Sequence, residues 1–84
     1  MTDKAAAKVS KDAGNVKFKA GRYENAIKCY DKAMELDPGE VMYPANRAVV
    51  YLKMKRWEEA ENDCTTALEI DSKYARVGNW LYWL

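Results

Sequence analysis

Apolar residues recur every three or four positions along most of the chain, which is the periodicity of helices packed on one side. The clearest example is the stretch Val41 to Lys55, in which apolar residues recur with this spacing at Met42, Ala45, Ala48, Val49 and Leu52. Pro44 lies near the start of this stretch, and a helix tolerates proline only in its first turn, where the missing N–H has no partner to lose. Asn46 is a polar amide next to the apolar stripe.

The same pattern predicts five helices separated by short turns. Thr2 or Asp3 is suited to cap the first helix, Gly21 to end it, and Asp37-Pro38-Gly39 to stop the second. Gly14 lies inside the first helix, where glycine lowers helix stability, so we expect another helix to cross closely there. The predicted helices are Asp3–Ala20, Tyr23–Leu36, Val41–Lys55, Trp57–Ile70, and a last one from Lys73 or Tyr74 to the C-terminus.

Two segments of the chain, residues 21–37 and 55–71, repeat the same pattern at an offset of 34 residues. The equivalent pairs are Tyr23 with Trp57, Ala26 with Ala60, Ala33 with Ala67, and Asp37 with Asp71. We expect the small alanines to let paired helices approach closely, and the aromatic residues to fill the wedge at each turn between helices.

This period and pattern resemble the tetratricopeptide repeat family along nearly the whole chain. The resemblance implies an all-α fold of helix-turn-helix repeats, a fragment of a right-handed α-solenoid. It implies a single domain over residues 1–84, with repeat one at about 7–40, repeat two at about 41–74, and a terminal capping helix at about 75–84. Ser72 departs from the family pattern, which usually has proline at this position.

The charges of the chain divide between alternate helices although the net charge is only +1. The third helix and its turn carry Arg47, Lys53, Lys55 and Arg56 with no acidic residue, whereas residues 57–71 are acidic with no basic residue. In the family, the first helix of each repeat lines a concave groove and the second forms the convex back. We therefore expect a basic groove on an acidic back, and a basic groove favours an acidic ligand. The alternative is a solvated face with no ligand.

Residues on the groove helices resemble the carboxylate-clamp subset of the family, which binds the free C-terminus of 90-kDa or 70-kDa heat-shock chaperones, a Glu-Glu-Val-Asp tail. The resemblance places Lys11, Asn15 and Asn46 in three clamp positions. Arg76 lies where a lysine is expected, and Trp80 lies where an arginine is expected, which is a departure. In the alternative interpretation, Asn15 and Asn46 only bridge to backbone groups across helices and bind no ligand.

The residue types suit the chemistry of such a ligand. A terminal aspartate carries two neighbouring carboxylates, and charge-assisted hydrogen bonds to them contribute about 1.5–3 kcal/mol each. Lys53 is one turn beyond Val49 and could add a contact, while Phe18 and Val49 could form an apolar floor. Because the arginine is replaced, we expect an affinity on the order of micromolar or poorer.

Other classes of function lack their usual residues. The chain has no histidine, no glycine-rich phosphate loop, and no nucleophile paired with a base, so we expect neither an enzyme nor a cofactor or metal site. Near-zero net charge disfavours nucleic acid, and no apolar run is long enough to cross a membrane. Because the N-terminus is charged and alanine-rich, we do not expect it to be a signal peptide. Cys29 and Cys64 are expected to be reduced packing residues of a cytoplasmic, or else nuclear, protein.

The C-terminal residues leave several interpretations open because they are unusually apolar. Leu81 and Tyr82 fall on packing positions, and Trp80 and Trp83 fall on the groove side, next to the terminal Leu84. These residues predict a hydrophobic cap, a surface for self-association or helix swapping, or a modified ligand groove. The alternative function is accordingly an engineered or truncated scaffold that forms homo-oligomers through its aromatic C-terminal helix.

Overall fold

The computed structural model describes residues 2–72, and within this range the chain forms four α-helices and no strand. They are α1 (Lys4–Lys19), α2 (Tyr23–Leu36), α3 (Met42–Lys53) and α4 (Trp57–Ile70). The predicted bounds of α2 and α4 are confirmed, and α1 and α3 are slightly shorter than predicted at both ends. The predicted fifth helix lies outside the described residues. Among the described residues, no helix has the length and apolarity needed to span a membrane.

Local chemistry accounts for the helix ends. The Asp3 side chain caps α1, as predicted, by accepting a hydrogen bond of 3.0 Å from the Ala6 N–H. After α1, Gly21 adopts φ +77°, and the N–H groups of Gly21 and Arg22 bond to the carbonyls of Phe18 and Lys17. This is the Schellman arrangement that glycine favours.

The second repeat ends its first helix in the same way without glycine. Lys55, at the position equivalent to Gly21, adopts φ 60°. The N–H groups of Lys55 and Arg56 bond to the carbonyls of Leu52 and Tyr51, so the hydrogen bonds of the first turn are reproduced. The backbone of Lys55 is therefore in the left-handed conformation that residues other than glycine rarely adopt.

Successive helices pack on one another, α1 on α2, α2 on α3, and α3 on α4. The alanines predicted to permit close approach are fully buried: Ala26, Ala33, Ala60 and Ala67. Tyr23 packs as predicted at the turn between α1 and α2, with its ring centroid 5.7 Å from that of Phe18. The equivalent prediction for Trp57 is wrong, because its side chain is 44% exposed. Tyr23 belongs to a core cluster with Val50 of α3, whereas no described helix follows α4 to cover Trp57.

Helix α2 packs closely against α1 at Gly14, which confirms the expectation from its position. A Cβ atom built on Gly14 would lie 2.7 Å from Cε1 and 2.9 Å from Cδ1 of the Tyr30 ring. A real Cβ atom essentially never lies this close to a non-bonded carbon, so a side chain at position 14 would displace the ring. Tyr30 is 2% exposed and belongs to the core cluster that joins α2 to α3.

Candidate ligand-binding groove

An open cavity of about 260 Å³ lies on the side of the molecule formed by α1 and α3. The structure brings five predicted site residues together around it: Lys11, Asn15, Phe18, Asn46 and Val49. Two further described residues, Tyr30 of α2 and Met42 of α3, also line it. The first helices of the two repeats therefore place amide, ammonium and apolar groups around one space. We call this cavity and its seven lining residues the groove.

Asn15 has a fixed orientation in the groove. The Tyr30 hydroxyl donates a hydrogen bond of 2.5 Å to Asn15 Oδ1. Burial, and secondarily the neighbouring Cys29, raises the pKa of Tyr30 from 10.0 to about 12, so the hydroxyl keeps its proton at neutral pH. The hydrogen bond fixes the orientation of the Asn15 amide, and its two N–H donors make no hydrogen bond to any described side chain or backbone group.

Asn46 differs from Asn15 because its amide makes no hydrogen bond within residues 2–72. It is half-buried on α3, one turn before the half-buried Val49. The interpretation in which Asn15 and Asn46 only connect helices through backbone groups has no support in the described hydrogen bonds. Both amides keep donors for a ligand, Asn15 with a set orientation and Asn46 with a free one.

Lys11 supplies the positive charge of the groove. Its Nζ lies 3.1 Å from Asp12 Oδ1, and its side chain is 19% exposed. Lys11 also borders a second cavity of about 250 Å³, which Lys4 and Lys8 line together with Asp37, Glu40, Met42 and Tyr43. Lys4 is paired there with the buried Asp37 at 3.2 Å. The two cavities share Lys11 and Met42, so the lysines of α1 extend the positive surface beyond the groove.

The basic residues of α3 contribute less to the groove than their number predicts, and Arg47 is the main correction. Arg47 Nε and Nη2 bond to the two carboxylate oxygens of Asp63 at 2.8 and 2.6 Å, and Nη1 bonds to Asp31 at 2.5 Å. Asp31 belongs to α2 and Asp63 to α4, so Arg47 lies between the back helices. The physical reason is that a buried carboxylate requires a cation, and Asp63 is 3% exposed.

Arg56 is the second correction to the predicted basic surface. Its guanidinium pairs with Glu59 at 2.6 Å and with Glu24 at 3.4 Å. It also lies over the Tyr51 ring, with Cζ 5.1 Å from the ring centroid, while Arg47 approaches the same ring at 5.9 Å. Both arginines therefore neutralise the acidic back, and the positive charge of the groove side comes from lysines.

The remaining predicted site residues are not brought to the cavity. Lys53 is exposed at the last position of α3 and does not line the groove. Arg76, predicted to occupy the position of a clamp lysine, lies outside the described residues. So do the residues predicted for a cap or for self-association, Trp80, Leu81, Trp83 and Leu84. Among residues 2–72, no group of three histidine, cysteine or acidic side chains is arranged to hold a metal ion.

Tyr30 and Met42 are groove residues that were not predicted as site residues, and Tyr30 is the one that bonds to Asn15. Its position between Ala26 and Ala33 is typical of a packing residue, and its ring does pack in the core. One signal was present, because a buried tyrosine hydroxyl usually finds a hydrogen-bond partner. Gly14 indicated a close helix approach, but neither signal identifies Asn15 as that partner.

Comparison with known proteins agrees with this architecture. The tetratricopeptide repeat family matches residues 7–40 and 45–74, and the chain belongs to this family. RNA polymerase II-associated protein 3 from Gallus gallus is 49% identical over 75 residues, which are 89% of this chain and 11% of that protein. The chain thus spans about a tenth of the length of this relative.

Two solved structures are similar in both fold and sequence. The second tetratricopeptide domain of Spaghetti (RPAP3), bound to the HSP90 peptide SRMEEVD, is 46% identical with a TM-score of 0.84. The match covers 88% of this chain and 68% of that one. The second such domain of human RPAP3, in complex with the HSP70 peptide SGPTIEEVD, is 45% identical with a TM-score of 0.83. That match covers 87% of this chain and 61% of the other.

Proposed function

We propose that this chain is a protein-interaction module that binds the acidic C-terminal tail of HSP90 or HSP70 chaperones in the groove. The observation that carries the proposal is the convergence of Lys11, Asn15 and Asn46 on one cavity that also has an apolar wall. Similar domains of RNA polymerase II-associated protein 3 hold peptides ending in Glu-Glu-Val-Asp. The chain is therefore proposed to act as a co-chaperone adaptor that binds a peptide and catalyses no reaction.

In this proposal each group of the groove has a separate role toward the ligand. Lys11 and the amides of Asn15 and Asn46 donate hydrogen bonds to the two carboxylates of the terminal aspartate. Phe18 and Val49 contact the preceding valine side chain. Lys53, one turn beyond Val49 on α3, contacts an acidic side chain of the peptide that precedes the valine. Arg76 supplies a further cation.

The rival role is a scaffold that forms homo-oligomers through its aromatic C-terminal residues. It rests on Trp80, Leu81, Trp83 and Leu84, which lie outside the described residues, so the groove carries the proposal. The compartment proposed is the cytoplasm or nucleus, where the cysteines Cys29 and Cys64 remain reduced.

The test is a calorimetric titration of the chain with the peptide SRMEEVD, once as the free acid and once with an amidated C-terminus. We expect the free acid to bind in the micromolar range. Amidation removes a charged acceptor, and Asn46→Ala removes a donor to it. Each change is expected to weaken binding by about tenfold or more, because a charge-assisted hydrogen bond contributes about 1.5–3 kcal/mol.

Asn25→Ala is the matched control, since it makes the same chemical change at an exposed position of α2. It should bind the free acid as the wild-type chain does. Equal affinity for the acid and amide peptides would contradict the proposal, and so would an Asn46→Ala protein that is folded and binds normally.

A further inference from the structure

The hydrogen bond between Tyr30 and Asn15 gives the groove a property that its residue types alone do not specify. An asparagine side chain presents an acceptor oxygen on one side and two donors on the other. Rotation about its last bond lets a free asparagine match either kind of ligand group. Asn15 has lost this freedom, because the Tyr30 hydroxyl, which is buried and protonated, occupies its oxygen.

We propose that Tyr30 is a positioning residue that fixes the orientation of the Asn15 amide, directs its N–H donors to the ligand, and thereby favours a free carboxylate over an uncharged chain end. This inference rests on the proposed function, because it concerns how the same groove distinguishes its ligands. A carboxylate presents acceptors only, whereas an amidated terminus also presents N–H donors that need acceptors. Asn46, which has no partner within residues 2–72, accommodates either end, so the selectivity comes from Asn15.

The geometry behind this role depends on the two helices that meet at Gly14. The absence of a side chain at Gly14 lets the Tyr30 ring lie against α1. The hydroxyl is then within reach of the next residue of α1, Asn15. Because Tyr30 is 2% exposed and packed among core residues, neither partner needs to be ordered when a ligand arrives. Preorganised donors gain affinity because the ordering entropy is lost on folding and not on binding.

Tyr30→Phe tests the inference, since it removes the hydroxyl and keeps the ring that packs on Gly14. Affinity for the free acid SRMEEVD peptide is expected to fall roughly three- to tenfold, the effect of one hydrogen bond. Affinity for the amidated peptide should change much less, so the ratio of the affinity for the free acid to the affinity for the amide should decrease. In an Asn15→Ala background, Tyr30→Phe should have no further effect on binding, because its action passes through Asn15.

Tyr51→Phe is the control, because the Tyr51 ring contacts the guanidinium groups of Arg47 and Arg56 and does not line the groove. It should leave both affinities unchanged. Thermal unfolding checks that each variant is folded, and the side-chain amide NMR signals of Asn15 report its environment without ligand. These signals should change in Tyr30→Phe and not in Tyr51→Phe.

The outcomes separate this inference from the function on which it rests. A wild-type chain that binds neither peptide overturns the proposed function. A wild-type chain that prefers the free acid, with an unchanged preference in folded Tyr30→Phe, overturns the positioning role alone. Equal weakening of both peptides by Tyr30→Phe, or equal weakening with and without Asn15, assigns Tyr30 a purely structural role and also overturns the inference.

Discussion

Gly14 and Asn15 are neighbours in α1, and both depend on one residue of α2. The glycine leaves space for the Tyr30 ring, and the asparagine binds the hydroxyl at its end. A packing requirement and a binding group therefore share a single contact between two helices. Changing Gly14 is expected to disturb Asn15 through the Tyr30 ring, although Gly14 itself does not line the groove.

Gly14→Ala should lower the free energy of unfolding by about 1 kcal/mol. Overpacking a close contact typically costs about 1–3 kcal/mol. The better helix propensity of alanine opposes this by about 1 kcal/mol. The displaced ring should also weaken the Tyr30 hydrogen bond and hence peptide binding. Urea denaturation of the variant and the wild-type chain measures the change.

Ala13→Gly calibrates this prediction, because it makes the reverse substitution at the exposed neighbouring position of α1. It should show the propensity effect alone, with peptide affinity unchanged. A Gly14→Ala protein as stable as the wild-type chain would show that the ring moves freely, against the tight packing of Tyr30.

The sequence pattern predicted some residues at and beside the groove and missed others. Asn15 and Asn46 were predictable because they occupy fixed places in a repeat, and Gly14 because a helix interior disfavours glycine. Tyr30 was not predictable as a groove residue, since its position in the repeat is that of a core side chain. The direction of a hydroxyl depends on the rotamer and on the helix crossing, which a periodic pattern does not contain.

At the scale of the helices, the local chemistry of the helix ends explains where the predicted bounds agree with the structure and where they do not. Asp3 and Gly21 determine the two ends of α1, and the predicted bounds of that helix were close for this reason. Lys55 ends α3 in a left-handed conformation that a lysine does not predict. Its position 34 residues after Gly21 does indicate that conformation, because equivalent turns in a repeat share their backbone geometry.

Lys55→Gly should therefore raise the free energy of unfolding by about 0.5–1 kcal/mol. A left-handed residue other than glycine costs about 1–2 kcal/mol, and the greater freedom of glycine in the unfolded chain offsets part of the gain. Lys55→Ala controls for loss of the charge, since alanine keeps the strain and should give no gain. Gly21→Ala should be destabilising by about 1 kcal/mol, because it introduces the same strain into the first repeat.

Chemical denaturation of the three variants measures these differences. A Lys55→Gly protein no more stable than Lys55→Ala would contradict the prediction. It would mean that the turn relaxes in solution to a conformation lysine prefers.

At the scale of the whole molecule, the two repeats are joined by charge as well as by apolar packing. Arg47 of the second repeat bonds to Asp31 of the first and to Asp63 of its own repeat. The hydrogen bonds with Asp63 raise the pKa of Arg47 despite its partial burial. Burial raises the pKa of Asp63, and the Arg47 hydrogen bonds oppose this only in part. Alternating basic and acidic helices therefore serve the structure here, in addition to any ligand.

This connection could not be predicted from charge counts. Residues 41–56 carry four cations, and the pattern assigned all of them to the concave side. Arg47 is a quarter-turn from Asn46 along the helix surface, and that rotation sends its side chain toward the back helices. Only the positions of Asp31 and Asp63 on those helices decide that it stays there.

Arg47→Leu should lower the free energy of unfolding by about 2–4 kcal/mol, because it leaves the buried Asp63 without a cation. Combining it with Asp63→Leu should recover much of this loss, since no buried charge then remains. Lys53→Leu is the matched control on the same helix, exposed and without an ion pair to the described residues, and should change stability little. Urea denaturation measures the free energy of unfolding of each variant.

Peptide titration at low temperature, where every variant is folded, tests whether Arg47 also takes part in binding. The double variant Arg47→Leu, Asp63→Leu should bind SRMEEVD as the wild-type chain does. A loss of affinity in that double variant would indicate that Arg47 contributes to peptide binding. Equal stability of the Arg47→Leu and Lys53→Leu proteins would contradict the role of Arg47 in joining the repeats.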